Sequence, residues 1–426
     1  MTTIMKKRIT SVLSMILAFV MLFSLYSCTA AKAETVDLMD GITAGTVNGK
    51  ATDDTFKKAH ADFSAELFKR SFDGENTLIS PLSVMIALGM LGQGLSGESE
   101  SELERLFGGI ESEELSKYLH TYINRLPNGE KYSLDFANSV WMTDLEGYEV
   151  KESFLQALCD YYNAEAFKGD LQSEDVLNDI NGWIEEKTDG TIEKILDEVD
   201  GTGVMLLINT LLFEADWAET YEEYQINDGV FTTENGEENK VSMMYSDESV
   251  YLEGDNVTGF MKPYANGKYS FAALLPNEGV TLAELVQSLD GEALTSLISS
   301  RFDKVVHAAI PEFEYDFDIG MNDALKEMGL IAPFDTENSK DFVGIYADAA
   351  EHQFHISRVL HKTHIELTPV GTKAGAATVV EITDKAEDIM IGDVKEVYLD
   401  RPFVYMIVDT ETDLPIFIGA VTDIGE

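Results

Sequence analysis

The chain is poor in cysteine, proline and positive charge, and each scarcity excludes something. Cys28 and Cys159 are the only two thiols in 426 residues, and Cys28 lies in a segment read below as lipidated or cleaved away, so no internal disulfide is expected. Cys159 closes the run Ser153-Phe154-Leu155-Gln156-Ala157-Leu158-Cys159. No histidine stands near it to act as a base, and it reads as a buried apolar helix residue, not a nucleophile. Against 77 Asp and Glu there are 30 Lys and Arg, a net charge of −47. Phosphate contacts need clustered bases, so nucleic acid is excluded as a partner. The acidity favours solubility and steers cationic proteins inward without naming one. A Gly-x-Ser-x-Gly nucleophile elbow is missing. Nine prolines are scattered, and no Pro-, Gly- or Ser-rich linker divides the chain, which predicts one large domain.

One long apolar run exists, from Ile9 to Tyr26, preceded by Lys6, Lys7 and Arg8. This is the pattern of an export signal. Leu25-Tyr26-Ser27-Cys28 resembles a bacterial lipobox, which makes residues 1–27 a signal peptide and Cys28 the lipid anchor. The competing reading is cleavage after Ala31-Lys32-Ala33 with Cys28 discarded. Residues 28–54 then read as a flexible polar tether and 55–426 as the folded domain. Removing residues 1–27, with three bases and no acid, leaves a net charge of −50. An extracellular or cell-surface location is expected, membrane-attached only through the lipid.

The whole chain is 45% hydrophobic, and beyond the leader the apolar residues fall in short runs that mix helical and alternating periods, as in an α+β protein with helices packed on large sheets. Gly92-Gln93-Gly94-Leu95-Ser96-Gly97 fits a dinucleotide fingerprint, but it follows Val84 to Leu91, which reads as a buried helix and not a strand. The glycines are expected to end that helix, with Ser99 or Ser101 starting the next over Glu102 to Phe107. Four of the seven histidines, His352, His355, His361 and His364, cluster in sequence. On a strand from His361 to Leu367, alternation puts His361 and Thr363 on one side and His364 on the other, so no metal site is predicted. No cofactor is predicted either.

The segment from Gly371 to Ile382 is written as a strand without a strand's usual support. Thr372, Ala374, Ala376, Thr378, Val380 and Ile382 share one face, small at its start and apolar at its end. Lys373, Gly375, Ala377, Val379 and Glu381 share the other, and the acidic stretch Thr383 to Asp388 follows. Ala and Gly at the leading edge give little β-propensity. A segment able to live as an exposed loop and later enter a sheet is the working part of a strand-insertion switch.

The chain resembles the serpins, the serine protease inhibitor family, through an ordered set of motifs spanning about residues 55 to 424. They are Asn76-Thr77-Leu78-Ile79-Ser80-Pro81-Leu82-Ser83; Ile180-Asn181-Gly182-Trp183-Ile184 with Thr188-Asp189-Gly190-Thr191-Ile192; Leu207-Ile208-Asn209-Thr210-Leu211-Leu212-Phe213 with Trp217; His361-Lys362 leading to Gly371-Thr372; and Arg401-Pro402-Phe403 with Pro415 and Gly419. The resemblance implies the serpin fold, with helices packed around three β-sheets and an exposed reactive-centre loop at about residues 369–400. It also implies a monomeric suicide inhibitor and no enzyme. A target serine protease, or a papain-like cysteine protease, would form an acyl-enzyme with the loop, and the cut loop would insert as a strand. In this resemblance Gly371, Thr372, Lys373, Ala374, Gly375, Ala376, Ala377 and Thr378 are the hinge. Ser80, Ser83, Asn209 and His361 are the polar cluster beneath the sheet opening, the shutter. A non-inhibitory binding or carrier member is the alternative.

Counting from the hinge glycine in the family's register places the reactive bond between Lys385 and Ala386, as for trypsin-like targets. Counting back from Pro402 places it near Met390. The hinge count is preferred because it fixes the inserted length, while the far side is only a tether. Asp384, Glu387 and Asp388 suit few trypsin-like enzymes, and cleavage after Val380, Ile382 or Thr383 by an elastase-like enzyme competes. Lys373 stands where inhibitory members carry Glu, and Pro369 and Val370 replace acidic residues. Pro369 lacks an N–H and is expected to stiffen the hinge.

Overall fold

The structure is a computed structural model that describes residues 35–425 except 127, 145–148, 193, 197–204, 266, 352 and 374–393. Asp53 caps α1 (Asp54–Ser71), its carboxylate accepting from the Thr55 and Phe56 amides. Phe56, His60, Phe63 and Leu67 recur at helical spacing and line its buried face. Ser80 caps α2 (Pro81–Gly92), where Pro81 occupies a first-turn position whose N–H has no helical partner to lose. Every residue of α2 is buried, in agreement with the buried helix expected over Val84 to Leu91.

The next helix departs from expectation. α3 (Gly97–Leu106) starts before Ser99 and well before Glu102. Gly97 takes a positive φ of 66° after the extended Ser96. The first turn is capped from far away, by the Asp341 carboxylate accepting from the Ser99 amide and hydroxyl. α4 (Ser112–Arg125) and α5 (Glu152–Tyr162) are amphipathic. Cys159 lies on α5 as expected but is only half-buried, because it flanks the stripe of Phe154, Leu155, Leu158 and Tyr162 that faces the core. α6 (Glu174–Lys187) follows.

The strands are β1 (Val36–Asp37), β2 (Thr77–Ile79), β3 (Tyr132–Thr143), β4 (Glu165–Gly169), β5 (Met205–Asp216), β6 (Ile226–Thr232), β7 (Glu238–Gly254) and β8 (Val257–Pro263). They continue with β9 (Tyr269–Pro276), β10 (Phe302–Pro311), β11 (Phe313–Gly320), β12 (Arg358–Leu367), β13 (Gly371–Lys373), β14 (Lys395–Tyr398), β15 (Phe403–Asp409) and β16 (Leu414–Val421). Among the described residues one sheet runs β1-β4-β3-β5-β13-β12-β11 and the other β14-β10-β7-β8-β9-β15-β16-β2, with β6 also on β7. The resemblance implies three sheets. Two of them are continuous here because the 17-residue β7 pairs in turn with β6 over Glu238–Met244, with β10 over Met243–Tyr251 and with β8 over Val250–Gly254. α6 covers one face of the first sheet through Trp141, Ile180, Ile184, Leu206, Ile208 and Leu360. The larger core fills its other face and the second sheet.

Residues 35–53 are not a free tether. β1 pairs antiparallel with β4 at the edge of the first sheet, and the Leu38 amide donates to Ala166 O at 2.8 Å. Beyond it the Gly45 amide donates to Asp160 Oδ1, Gln156 Nε2 to Thr43 O, and the Lys50 amide to Lys117 O. Leu38, Met39 and Ile42 pack on the core. Backbone pairing holds this segment, and polar composition does not oppose that. The proposed signal peptide 1–27 and anchor Cys28 lie outside the described residues.

Candidate functional site

The first sheet is split. β5 and β12 run parallel and pair at one end only, Leu206 with Arg358, Leu207 with Val359 and Ile208 with Leu360. At the other end β13 is wedged between them, antiparallel to both. Gly371 pairs with Asp216, Thr372 with Ala215 and Leu367, and Lys373 with Glu366. Between these ends, β5 from Asn209 to Glu214 and β12 from His361 to Ile365 have no strand joining them among the described residues. A gap of this kind has its ladder groups and inner faces set out to receive a strand.

The entry to β13 is held tightly. Trp217 N donates to Val370 O at 2.8 Å, Tyr221 N to Pro369 O at 2.9 Å, and the Trp217 indole to Thr368 O at 3.0 Å. A turn from Thr368 to Gly371 closes with the Gly371 carbonyl accepting from Thr368 N. A Cβ on Gly371 would sit 2.1 Å from Ala215 O, so only glycine permits this approach. Thr372 is 3% exposed, with its hydroxyl 2.6 Å from the Tyr264 hydroxyl. The Tyr264 ring stacks on Trp217 at 4.5 Å, and burial pushes its phenol well above its ordinary pKa, so it stays neutral. Thr372 thus points inward, and the other even-numbered residues of the segment lie outside the described residues.

The polar residues expected beneath the opening are together. His361 Nε2 accepts from Ser80 N at 2.9 Å. Ser80 Oγ accepts from Ser83 N and donates to Ile416 O. Ser83 Oγ donates to Asn209 Oδ1, and Asn209 Nδ2 donates to Asn138 Oδ1, whose own amide donates to Tyr162 O. All of these side chains are buried, and burial holds the His361 imidazole down to about 3. The cluster lies where the paired end of β5 and β12 stops, since Asn209 and His361 are the next residues after the Ile208 and Leu360 rung.

β12 alternates as predicted. His361 and Thr363 are buried, whereas His364 is on the opposite face with Nδ1 2.8 Å from Asp316 Oδ1. Lys373 is placed by its backbone only. Ala374, Gly375, Ala376, Ala377, Thr378, Val380, Ile382, Thr383, Lys385, Ala386 and Met390 lie outside the described residues. Sequence reasoning missed Asn138, Tyr221, Lys262, Glu248 and Tyr264. Asn138 carried a signal, a polar residue inside the apolar run Phe136 to Trp141; the others carried none without their partners.

The profile of the family Serpin (serine protease inhibitor) matches residues 58–424. A crystal structure of a thermophilic serpin, tengpin, in the native state is 41% identical, superposes with a TM-score of 0.85, and is covered over 92% of this chain and 100% of its own. Neuroserpin of Mus musculus is 28% identical over 364 residues, 82% of this chain and 86% of its own length. Thyroxine-binding globulin in complex with thyroxine, 22% identical, matches with a TM-score of 0.75 over 87% of this chain and 99% of its own, a likeness of fold alone. The chain belongs to the serpin family of protease inhibitors.

Proposed function

We propose that this protein is a covalent, strand-inserting inhibitor of serine proteases, with residues 369–400 as its reactive loop and Lys385–Ala386 as its reactive bond. The observation that carries the reading is the seating of Gly371 and Thr372 at the mouth of the split sheet. From Thr372, paired with both Ala215 and Leu367, each step along an inserting antiparallel strand moves one residue back on β5 and on β12. Both counts bring Thr378 to Asn209 and to His361 at one level. The small residues Ala374 and Ala376 would precede it, and Val379, Val380 and Glu381 would displace the pairing of Leu206–Ile208 with Arg358–Leu360, with Ile382 one rung beyond.

Chemically, the protease serine Oγ adds to the Lys385 carbonyl, the C–N bond to Ala386 breaks, and the amine leaves with a proton from the protease's own base. Insertion then competes with hydrolysis of the ester. On the order of ten new ladder hydrogen bonds at about 1 kcal/mol each, plus burial of one face, favour insertion. A trypsin-like target fits Lys385; an elastase-like target would cut at Val380 to Thr383, and papain-like enzymes are a further class. Export through residues 1–27 and anchorage at Cys28 would place the inhibitor at the cell surface as a monomer.

The test is to mix the purified protein with trypsin-, elastase- and papain-type proteases. A complex that survives boiling in detergent, with a released peptide beginning at Ala386, supports the reading. Cleavage without a trapped protease overturns it in favour of a non-inhibitory binding or carrier role.

A further inference from the structure

We propose that Glu248 and Lys262 are positioning residues that hold the entry of the inserting strand in register, a role that rests on the inhibitory reading above. Lys262, near the end of β8, and Glu248, in the middle of β7, form an ion pair at 2.9 Å with side chains 4% and 7% exposed. So enclosed a pair is retained only where its geometry is fixed by further contacts. Those contacts lead to the hinge. The Lys262 ammonium lies 4.4 Å from the centroid of the Tyr221 ring and 5.5 Å from that of Trp217. Ser246 Oγ donates to Glu248 Oε1 at 2.7 Å and lies 3.3 Å from the Tyr221 hydroxyl, which therefore donates to it. Glu248, Lys262, Tyr221 and Ser246 thus close a ring of contacts around the segment Trp217–Tyr221.

That segment holds three successive carbonyls of the entry turn, those of Thr368, Pro369 and Val370. Pro369 and Val370 offer no side-chain charge of their own, and Glu248 and Lys262 place an ion pair against the aromatics that hold the entry. The pair sits behind the aromatics. It acts through Tyr221 and Trp217, whose cation–π contacts with Lys262 depend on Glu248 keeping the ammonium in place. The first rungs, Gly371 on Asp216 and Thr372 on Ala215, are then preformed when insertion begins. Loosening them slows the strand against a fixed rate of ester hydrolysis, and more inhibitor is spent as substrate.

The test uses the full chain with Glu248→Gln, with Lys262→Met, and with both. The readouts are the number of inhibitor molecules consumed per protease trapped, amide exchange at Trp217 and Tyr221, and melting temperature. Each single variant should raise consumption at least threefold and speed exchange at both amides at least tenfold. The double variant, which leaves no lone buried charge, should recover most of the melting temperature and keep the raised consumption. Wild-type consumption in a double variant that melts like the wild type overturns the proposal. Failure of the wild type to trap any protease is a different result: it removes the inhibitory reading, while exchange at Trp217 and Tyr221 still reports whether the pair holds the turn.

Discussion

His361 Nε2 accepts the backbone N–H of Ser80 at 2.9 Å across 281 residues of sequence, so this ring nitrogen carries no proton in the folded state. Burial holds His361 down to about 3, and the fully enclosed His60 to about 4. In the unfolded chain both titrate near 6.5. Below that pH the unfolded state binds more protons, so the stability these groups contribute is complete above about pH 6.5 and is lost as the pH falls toward the folded values. The slope reaches about 1.4 kcal/mol per pH unit for each histidine. Urea midpoints should therefore fall between pH 6.5 and 4.5. His361→Gln should remove part of that slope, and an unchanged slope would refute the assignment.

His361→Ala makes a separate point at neutral pH. It leaves the buried Ser80 N–H without its acceptor, at a cost of about 1–3 kcal/mol, next to the place where the β5–β12 pairing ends. Conversion to a loop-inserted or polymerised form on mild heating, followed on native gels, should be faster than in the wild type. Equal rates would mean that the cluster is a passive part of the core.

Gly371→Ala and Thr372→Arg should both convert the inhibitor into a substrate. The alanine Cβ meets Ala215 O, which is backbone and cannot move aside, and the arginine would bring an unpaired charge into a site that is 3% exposed. The loop should still be cut, while detergent-stable complex falls at least tenfold. Retained trapping by Thr372→Arg would show that this face is not the one that enters.

Residues 35–53 should behave as part of the body. Slow hydrogen exchange at the Leu38 and Lys50 amides, which donate to Ala166 O and Lys117 O, would separate a docked segment from a tether. Its removal should cost about 1–3 kcal/mol for the apolar contacts of Leu38, Met39 and Ile42, read as a lower melting temperature.

The inward face at Thr372 was legible because period-two alternation needs only neighbours in sequence. Burial along β12 was legible for the same reason, and the polar cluster came from motif resemblance. The remainder is written in pairs that sequence does not join. Tyr264 meets Thr372 across 108 residues, and Asp341 caps α3 from 242 residues away. Lys262, in the run Phe260-Met261-Lys262, looks like an ordinary solvent-facing charge until Glu248 is placed beside it. The docking of residues 35–53 relies on backbone groups, and these leave no mark on side-chain composition.

Metastability is the property on which the inhibitory reading turns, and heat tests it directly. In the intact protein the ladder groups of β5 from Asn209 to Glu214 and of β12 from His361 to Ile365 have no strand between them among the described residues, and the β5–β12 pairing is confined to three rungs. On the proposed mechanism, cutting the loop at Lys385 would free the segment from Lys373 to Ile382 to fill that gap, adding ladder bonds of about 1 kcal/mol each and burying the Val380 and Ile382 side chains. With an unfolding entropy of about 2.1 cal/mol/K per residue, each kcal/mol moves the melting temperature of a chain of this size by roughly 1 °C. Ten such bonds therefore predict a rise of about 10 °C on nicking by a protease that cuts without being trapped. Calorimetry of intact and nicked protein at equal concentration measures it, and coincident transitions would leave no stored free energy for distorting a protease.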